Sequence, residues 1–311
     1  MLTQPAAILP KGIVPLLDTP FDEKGEIDLE GLTTLVNGTI GGGAAGLMAP
    51  LVASEVDTLS LEERDGIVRH VTRAIAGRVP FVVGGSSNDV EVCRHYAHLA
   101  EQVGATAYLV AVPQTYYGHS DRILEFFQSI AASSRLPLII QDLQWNAPGL
   151  DLSMIRKLKE QLPTMAGMKI ETVPAGPKYT AVRQAMGQSF YISGGWAIPQ
   201  LIEALDRGVD AMVPESALVP VFVAIYQAYA QGHRDMAIRL FRELLPVLVF
   251  SNQELLQSIA FFKRLMVRKK MLRCATMRAQ GFAWDDYNSR IADELIEYYL
   301  ALEARGTGRG I

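Results

Sequence analysis

Ala166-Gly167-Met168-Lys169-Ile170 is a short, mostly apolar run carrying one lysine. It belongs to a series of eight such runs, each bounded by Gly, Pro or polar residues. The others are Ile13-Val14-Pro15-Leu16-Leu17, Gly46-Leu47-Met48-Ala49, Phe81-Val82-Val83, Tyr108-Leu109-Val110-Ala111-Val112, Leu138-Ile139-Ile140, Phe190-Tyr191-Ile192-Ser193 and Ala211-Met212-Val213. Segments of helical periodicity separate them, and they recur at roughly 20 to 35 residues, as a strand plus crossover helix requires. Runs apolar on both faces suit strands of a parallel sheet covered by helices. Eight such units close naturally into a barrel of ~250 residues, whereas a doubly wound sheet usually has fewer strands and a nucleotide fingerprint. No G-x-G-x-x-G or G-x-x-x-x-G-K-[ST] pattern follows any run, and Gly41-Gly42-Gly43 sits before the second strand rather than after one. The expected fold is α/β: a (β/α)8 TIM barrel with a C-terminal helical appendage.

Beyond residue 216 the strand signal stops, and helical patterns cover 218–231, 234–249, 254–272 and 286–304. Leu240, Leu244 and Leu248, beside Ala237, Phe241 and Leu245, form a broad apolar stripe. The expected division is a catalytic barrel over 1–232 and a helical region over 233–311, with residues 304–310 frayed at the end. Ser60-Leu61-Glu62-Glu63 has the form of a capping box, and Asp151 and Ser120 are placed to cap the segments that follow them.

The 311 residues are 49% hydrophobic and only 20% charged, which excludes disorder and coiled coil. Lys and Arg total 29 against 33 Asp and Glu, giving a formal charge of −4 and no sign of a polyanionic partner such as nucleic acid. The one basic run, Lys263, Arg264, Arg268, Lys269, Lys270 and Arg273, is interleaved with Phe261, Phe262, Leu265 and Met266 and reads as the solvated face of an amphipathic helix. Cys93 and Cys274 stand in no metal or redox spacing, so a reducing cytoplasm fits. The N-terminus lacks a basic region before a long apolar stretch, and no apolar segment reaches about 18 residues; the expectation is a protein without an export signal or membrane partner.

Side chains alternate along a strand, so Met168 and Ile170 face the helices while Gly167, Lys169 and Glu171 face the barrel interior. Chemistry in such barrels sits at the C-terminal ends of the strands. Lysine is almost never buried unless paired or functional, and desolvation favours a neutral amine over an ammonium ion. Neutral amine attacks carbonyls, and the protonated imine so formed acidifies the C3 proton of a 2-keto acid. The alternative for the same residues is a structural Lys169–Glu171 ion pair. His95 and His98 are spaced i, i+3 without a third ligand nearby, and His70 and His233 carry no motif, so neither metal nor cofactor is expected.

Gly167-Met168-Lys169, Asp18-Thr19-Pro20 with Asp22-Glu23-Lys24-Gly25, Glu55 with Thr58-Leu59, and Ser193-Gly194-Gly195 fall in order after the expected strands. Together they resemble the dihydrodipicolinate synthase/N-acetylneuraminate lyase family over about residues 12–270. The resemblance implies a class I aldolase-type barrel with a Schiff base on Lys169, a small-molecule 2-keto acid as substrate, Gly194 and Gly195 near it, and homotetrameric or homodimeric assembly. A tyrosine in the loop after the fourth strand reaches the family's site, which here points to Tyr116 and Tyr117, with packing at an interface as the other reading.

Two segments depart from the family's usual pattern. Leu51-Val52-Ala53-Ser54-Glu55 stands where Gly-Thr-Thr-Gly-Glu is usual, leaving the backbone N–H groups of Ala53 and Ser54 as candidates to hold a substrate carboxylate. Gln141-Asp142-Leu143-Gln144 replaces the tyrosine proton shuttle, and Gln141 can orient an oxygen but cannot relay a proton. With Ser54-Glu55, Gln141-Asp142 and Lys169-Ile170-Glu171-Thr172, the chain is most similar to the subgroup of L-2-keto-3-deoxyarabonate dehydratases. That implies dehydration of a 2-keto-3-deoxy sugar acid with Glu171 as proton carrier and Glu55 among the binding residues. A pyruvate-dependent aldolase or synthase is the alternative, followed by a non-catalytic barrel. Glu215 and Ser216, ending the eighth strand, read equally as polyol contacts or solvated loop.

Overall fold

The computed structural model describes residues 9–196 and 198–306. Strands and helices alternate along it: β1 (Gly12–Ile13), α1 (Leu29–Gly41), β2 (Leu47–Ala49), α2 (Leu61–Ile75), β3 (Phe81–Gly84), α3 (Val90–Gln102), β4 (Ala107–Ala111) and α4 (Ser120–Ala131). There follow β5 (Leu138–Asp142), α5 (Leu152–Gln161), β6 (Met165–Ile170), α6 (Gly176–Met186), β7 (Tyr191–Gly194), α7 (Leu201–Asp206), β8 (Ala211–Met212) and α8 (Val219–Ala230). Three more helices complete it: α9 (Arg234–Ser251), α10 (Leu255–Arg268) and α11 (Asp286–Gly306). The strands form one curled sheet in the order β1-β8-β7-β6-β5-β4-β3-β2, every pairing parallel, which is the (β/α)8 barrel with a C-terminal helical appendage.

Two compact units make up the chain. The first takes the described residues up to Val14, Gly46–Ala49 and Gly77–Val213, and holds all eight strands with α3 to α7. Its strands are buried almost throughout, as expected of a parallel sheet whose two faces are covered. Close approach of β6 to β7 depends on Gly167: a Cβ there would lie 2.2 Å from the Tyr191 carbonyl oxygen. The second unit takes Pro15–Ala45, Pro50–Ala76 and the described residues from Pro214 onward, and holds α1, α2 and α8 to α11.

Local signals set several helix starts. Ser60 and Glu63 form the capping box of α2, with Ser60 Oγ accepting from the Glu63 amide at 3.1 Å and Glu63 Oε2 from the Ser60 amide at 2.8 Å. Asp151 caps α5 through the Met154 amide at 2.7 Å. Ser120 does not act as a cap. It is the first residue of α4, where its own backbone is already helical, and His119 stands at the cap position without a side-chain bond.

The basic run is a solvated face only in part: Arg268, Lys270 and Arg273 are exposed, and the other three are not. Lys263 is 1% exposed, and Lys269 donates to Glu303 and to the Ala217 carbonyl. Arg264 and Arg268 pair with Asp293 and Glu297 of α11. The run therefore joins α10 to its neighbours, because a helix apolar around most of its circumference has little surface left for water. At the C-terminus α11 continues to Gly306 through residues expected to fray; 307–310 lie outside the described residues, as do the first eight, on which the reading of the N-terminus rested. Among the described residues no helix is long and apolar enough to cross a membrane.

Gly167→Ala is expected to lower stability by about 1–3 kcal/mol through overpacking between β6 and β7. A urea titration followed by circular dichroism measures this; an unchanged midpoint would show that the strands can part without cost.

Candidate active site

Strand register places Ala111, Gln141, Lys169, Ser193, Ala211 and Gly12 opposite one another across β4, β5, β6, β7, β8 and β1. Partners in a parallel ladder face the same side of the sheet. The row thus has two long polar side chains, Gln141 and Lys169, standing among residues of small or no side chain. Both are buried, at 2% and 3% exposure.

Glu171 follows the end of β6 and turns back to this row. Its Oε1 lies 2.7 Å from Lys169 Nζ and accepts the Trp196 amide at 2.7 Å, while Oε2 accepts from Gln141 Nε2 at 2.5 Å. Three donors from β5, β6 and the loop after β7 therefore fix one buried carboxylate. Among the described residues Gln141 Oε1 is buried without a hydrogen-bond partner. Gly195 makes the arrangement possible: a Cβ there would come 2.0 Å from Glu171 Oε1 and 2.7 Å from Lys169 Nζ. Gly194 leaves room in the same way for the Tyr179 hydroxyl, 2.4 Å from where its Cβ would be.

Tyr117 and Tyr116 separate. The Tyr117 hydroxyl donates to Asp142 Oδ1 at 2.9 Å, and burial, reinforced by the Asp142 charge, pushes its ionisation up so that it stays a neutral donor. Tyr116 turns away to pack edge-on against Phe126 at 5.5 Å, under the Arg122 guanidinium. Asp142 also accepts from Lys178 Nζ at 2.5 Å, a partner that no local sequence pattern announces.

Ala53, Ser54 and Glu55 belong to the second unit, in the loop after β2. The Ser54 amide donates to the Leu51 carbonyl at 3.0 Å, and its hydroxyl donates to Leu17 O at 2.5 Å and accepts from the Leu51 amide. That amide is therefore spent inside the loop rather than open to a carboxylate, while Ala53 sits buried beside it. Glu55 adopts left-handed backbone geometry, φ 57°, which costs a non-glycine residue on the order of 1 kcal/mol. Its carboxylate is taken by Lys263 Nζ at 2.5 Å and by the Arg278 and Ala279 amides at 2.8 Å each.

Arg278 in turn bonds both carboxylate oxygens of Glu63, at 2.9 and 2.7 Å, and holds that carboxyl down to about 2. Burial pushes Asp18 up to about 7, with the Lys263 charge pulling against it. Ser216 donates to the Leu16 carbonyl, and it and Glu215 are buried rather than solvated. The sequence carried no local signal for these pairs, because Lys263 and Glu55 lie 208 residues apart. Among the described residues no three His, Cys, Asp or Glu side chains are gathered in a way that would hold a metal ion.

Lys263→Met is expected to cost about 3–5 kcal/mol in a denaturant titration, because it strands a buried Glu55 carboxylate; adding Glu55→Gln should recover part of that loss. Asp18, with its native pKa above the ordinary 3.8, binds more protons folded than unfolded between about pH 4 and 7, so its contribution to stability declines as pH rises through that window. Asp18→Asn removes this dependence. Its melting temperature relative to the parent protein should rise from pH 4 to pH 7, and a flat difference would contradict the assignment.

A model of the dihydrodipicolinate synthetase family matches residues 9–274. The L-2-keto-3-deoxyarabonate dehydratase of Azospirillum brasilense is 27% identical over 252 residues, 78% of this chain and 80% of that protein. The 4-hydroxy-tetrahydrodipicolinate synthase of Cereibacter sphaeroides is 35% identical over 246 residues, 76% of this chain and 81% of that one. Among solved structures, Ruminococcus gnavus sialic acid aldolase superposes with a TM-score of 0.86 at 17% identity, covering 95% of this chain and 98% of its own. The extent of the family match, carried by a chain whose β6 lysine meets a carboxylate inside the sheet, establishes that this protein belongs to the dihydrodipicolinate synthetase family, whose members are lyases working through a lysine Schiff base.

Proposed function

We propose that the protein dehydrates a 2-keto-3-deoxy sugar acid through an imine on Lys169, with Glu171 carrying the proton and Gln141 orienting the substrate. The observation that carries this reading is the 2.7 Å contact between Lys169 Nζ and Glu171 Oε1, with Glu171 held from two further sides. The amine adds to the C2 carbonyl, and the carbinolamine loses water to give the iminium ion. Glu171 takes the C3 proton, leaving an enamine, and returns a proton to the C4 hydroxyl as it departs as water. Hydrolysis of the imine frees Lys169. One carboxylate can serve both transfers because both carbons are adjacent on a substrate tethered beside it.

Gln141 Oε1, buried without a partner among the described residues, suits a substrate hydroxyl as its donor. Gly194 and Gly195 contribute space rather than side-chain contacts, and Tyr117 acts through its bond to Asp142. The dehydratase relative supports the same chemistry. A pyruvate-dependent synthase or aldolase is the second reading, favoured by the several synthase relatives. Against it stands Gln141, which cannot shuttle a proton from the β5 position. Assembly as a homotetramer or homodimer accompanies the proposal and is measured by light scattering.

Incubation with pyruvate and borohydride should add a reduced pyruvyl mass at Lys169, and Lys169→Ala should abolish it. Glu171→Gln should keep the adduct while slowing turnover about 10²–10⁴-fold. Product analysis over a panel of 2-keto-3-deoxy acids separates the readings: loss of water with all carbons kept means dehydration, and release of pyruvate means cleavage. Absence of any adduct at Lys169 would favour a non-catalytic barrel.

A further inference from the structure

Asp142 ends β5, one residue beyond Gln141, and its side chain is fully buried. Its carboxylate collects partners from three separate segments. Oδ1 accepts from the Tyr117 hydroxyl at 2.9 Å, in the loop after β4. Oδ2 accepts from Lys178 Nζ at 2.5 Å, on α6, and the same ammonium group also bonds the Pro148 carbonyl at 2.6 Å. The Leu150 amide, ahead of α5, reaches both oxygens, at 3.1 and 3.2 Å.

Gly149, at φ +70°, is shaped to this carboxylate, since a Cβ there would lie 2.3 and 2.6 Å from its two oxygens. Meanwhile the Asp142 backbone carbonyl accepts the Glu171 amide at 2.9 Å. The residue whose side chain is gripped by three segments is thus the residue whose main chain holds Glu171, and whose neighbour Gln141 holds the Glu171 carboxylate. A surface requirement for solubility or a lone ion pair would not need this convergence. Buried charge with every lone pair engaged fixes position, because any displacement breaks several bonds in a low-dielectric setting at once.

We propose that Asp142 is a positioning residue for Glu171: its buried carboxylate, gathering Tyr117, Lys178 and Leu150, sets the end of β5 from which the proton carrier is held against Lys169. This rests on the reading of Lys169 as imine nucleophile and Glu171 as proton carrier. Asp142 touches no reacting atom. Its effect is on the C3 proton transfer, which is steep in distance, and much less on imine formation, whose attacking group is Lys169.

The test uses pyruvate as probe, so the true substrate need not be known. Imine formation is read from borohydride trapping at Lys169. Proton transfer is read by NMR from exchange of pyruvate methyl protons in heavy water: Glu171 takes a C3 proton to leave the enamine, exchanges it with solvent and returns a deuteron. Asp142→Asn should trap pyruvate within about twofold of the parent protein yet exchange about 10- to 100-fold more slowly. The double variant Asp142→Asn with Lys178→Gln, which removes both buried charges, should remain slow in exchange. Recovery to the parent rate would show that Asp142 only neutralises Lys178, and would overturn the proposal.

Equal exchange in Asp142→Asn and the parent overturns it as well, while leaving the Lys169 reading intact. If the parent itself fails to trap pyruvate, the Lys169 reading falls and the proposal with it; trapping without exchange removes the Glu171 role and the proposal likewise. Should Asp142→Asn fail to fold, Tyr117→Phe, which deletes one bond to Oδ1, should slow exchange with trapping unchanged, and an unaltered rate there would count against the proposal.

Discussion

A lysine placed inside a parallel sheet must find a counter-charge, and the way it does so here organises the surrounding structure. Lys169 stands on β6 between Gln141 of β5 and Ser193 of β7, in a row completed by alanines and a glycine. Glu171 reaches its Nζ at 2.7 Å, and Glu171 is itself held by Gln141 and by the Trp196 amide. Gly195 leaves the room that the carboxylate and the amine occupy. Removing any one of these elements would leave a buried charge unpaired or crowded, so the site and the stability of the sheet around it are the same problem.

The second unit solves a similar problem by different means. Glu55, Lys263, Arg278 and Glu63 form a chain of paired charges that carries the segment after α10 onto the loop after β2. Glu55 tolerates left-handed backbone geometry because its carboxylate accepts three hydrogen bonds there. Asp18 and Glu215 lie in the same buried surroundings, and the rise of Asp18 to about 7 reflects a proton retained where another negative charge would be costly. A residue such as Glu55, charged and beside an expected site, reads from sequence as a binding group. Its partners make it a clamp.

The legible part of the site was the part with a short period. Alternation along β6 put Lys169 and Glu171 on one face, and their contact follows from two residues of separation. Gln141 was legible by its place at the end of an apolar run. Asp142 stood next to it with no sign of Lys178, 36 residues further on, or of Tyr117, 25 residues earlier. The basic run on α10 was legible only in part: its helical spacing does put Arg268, Lys270 and Arg273 at the surface, yet Lys263 points into the protein toward a carboxylate 208 residues away.

Sequence alone determined the eight strands and their crossover helices, the family, and the lysine and glutamate that meet inside the sheet. Each of these is encoded in residues near one another along the chain, where the periods of strand and helix dictate which side chains share a face. Tertiary structure alone decided which charges are spent and which are available: that the Ser54 amide and the Glu55 carboxylate are occupied, that Tyr117 serves Asp142, and that Gln141 keeps an acceptor without a partner among the described residues. Hydrogen bonds form between groups close in space whatever their separation in sequence, so their pairing appears only once the chain has folded.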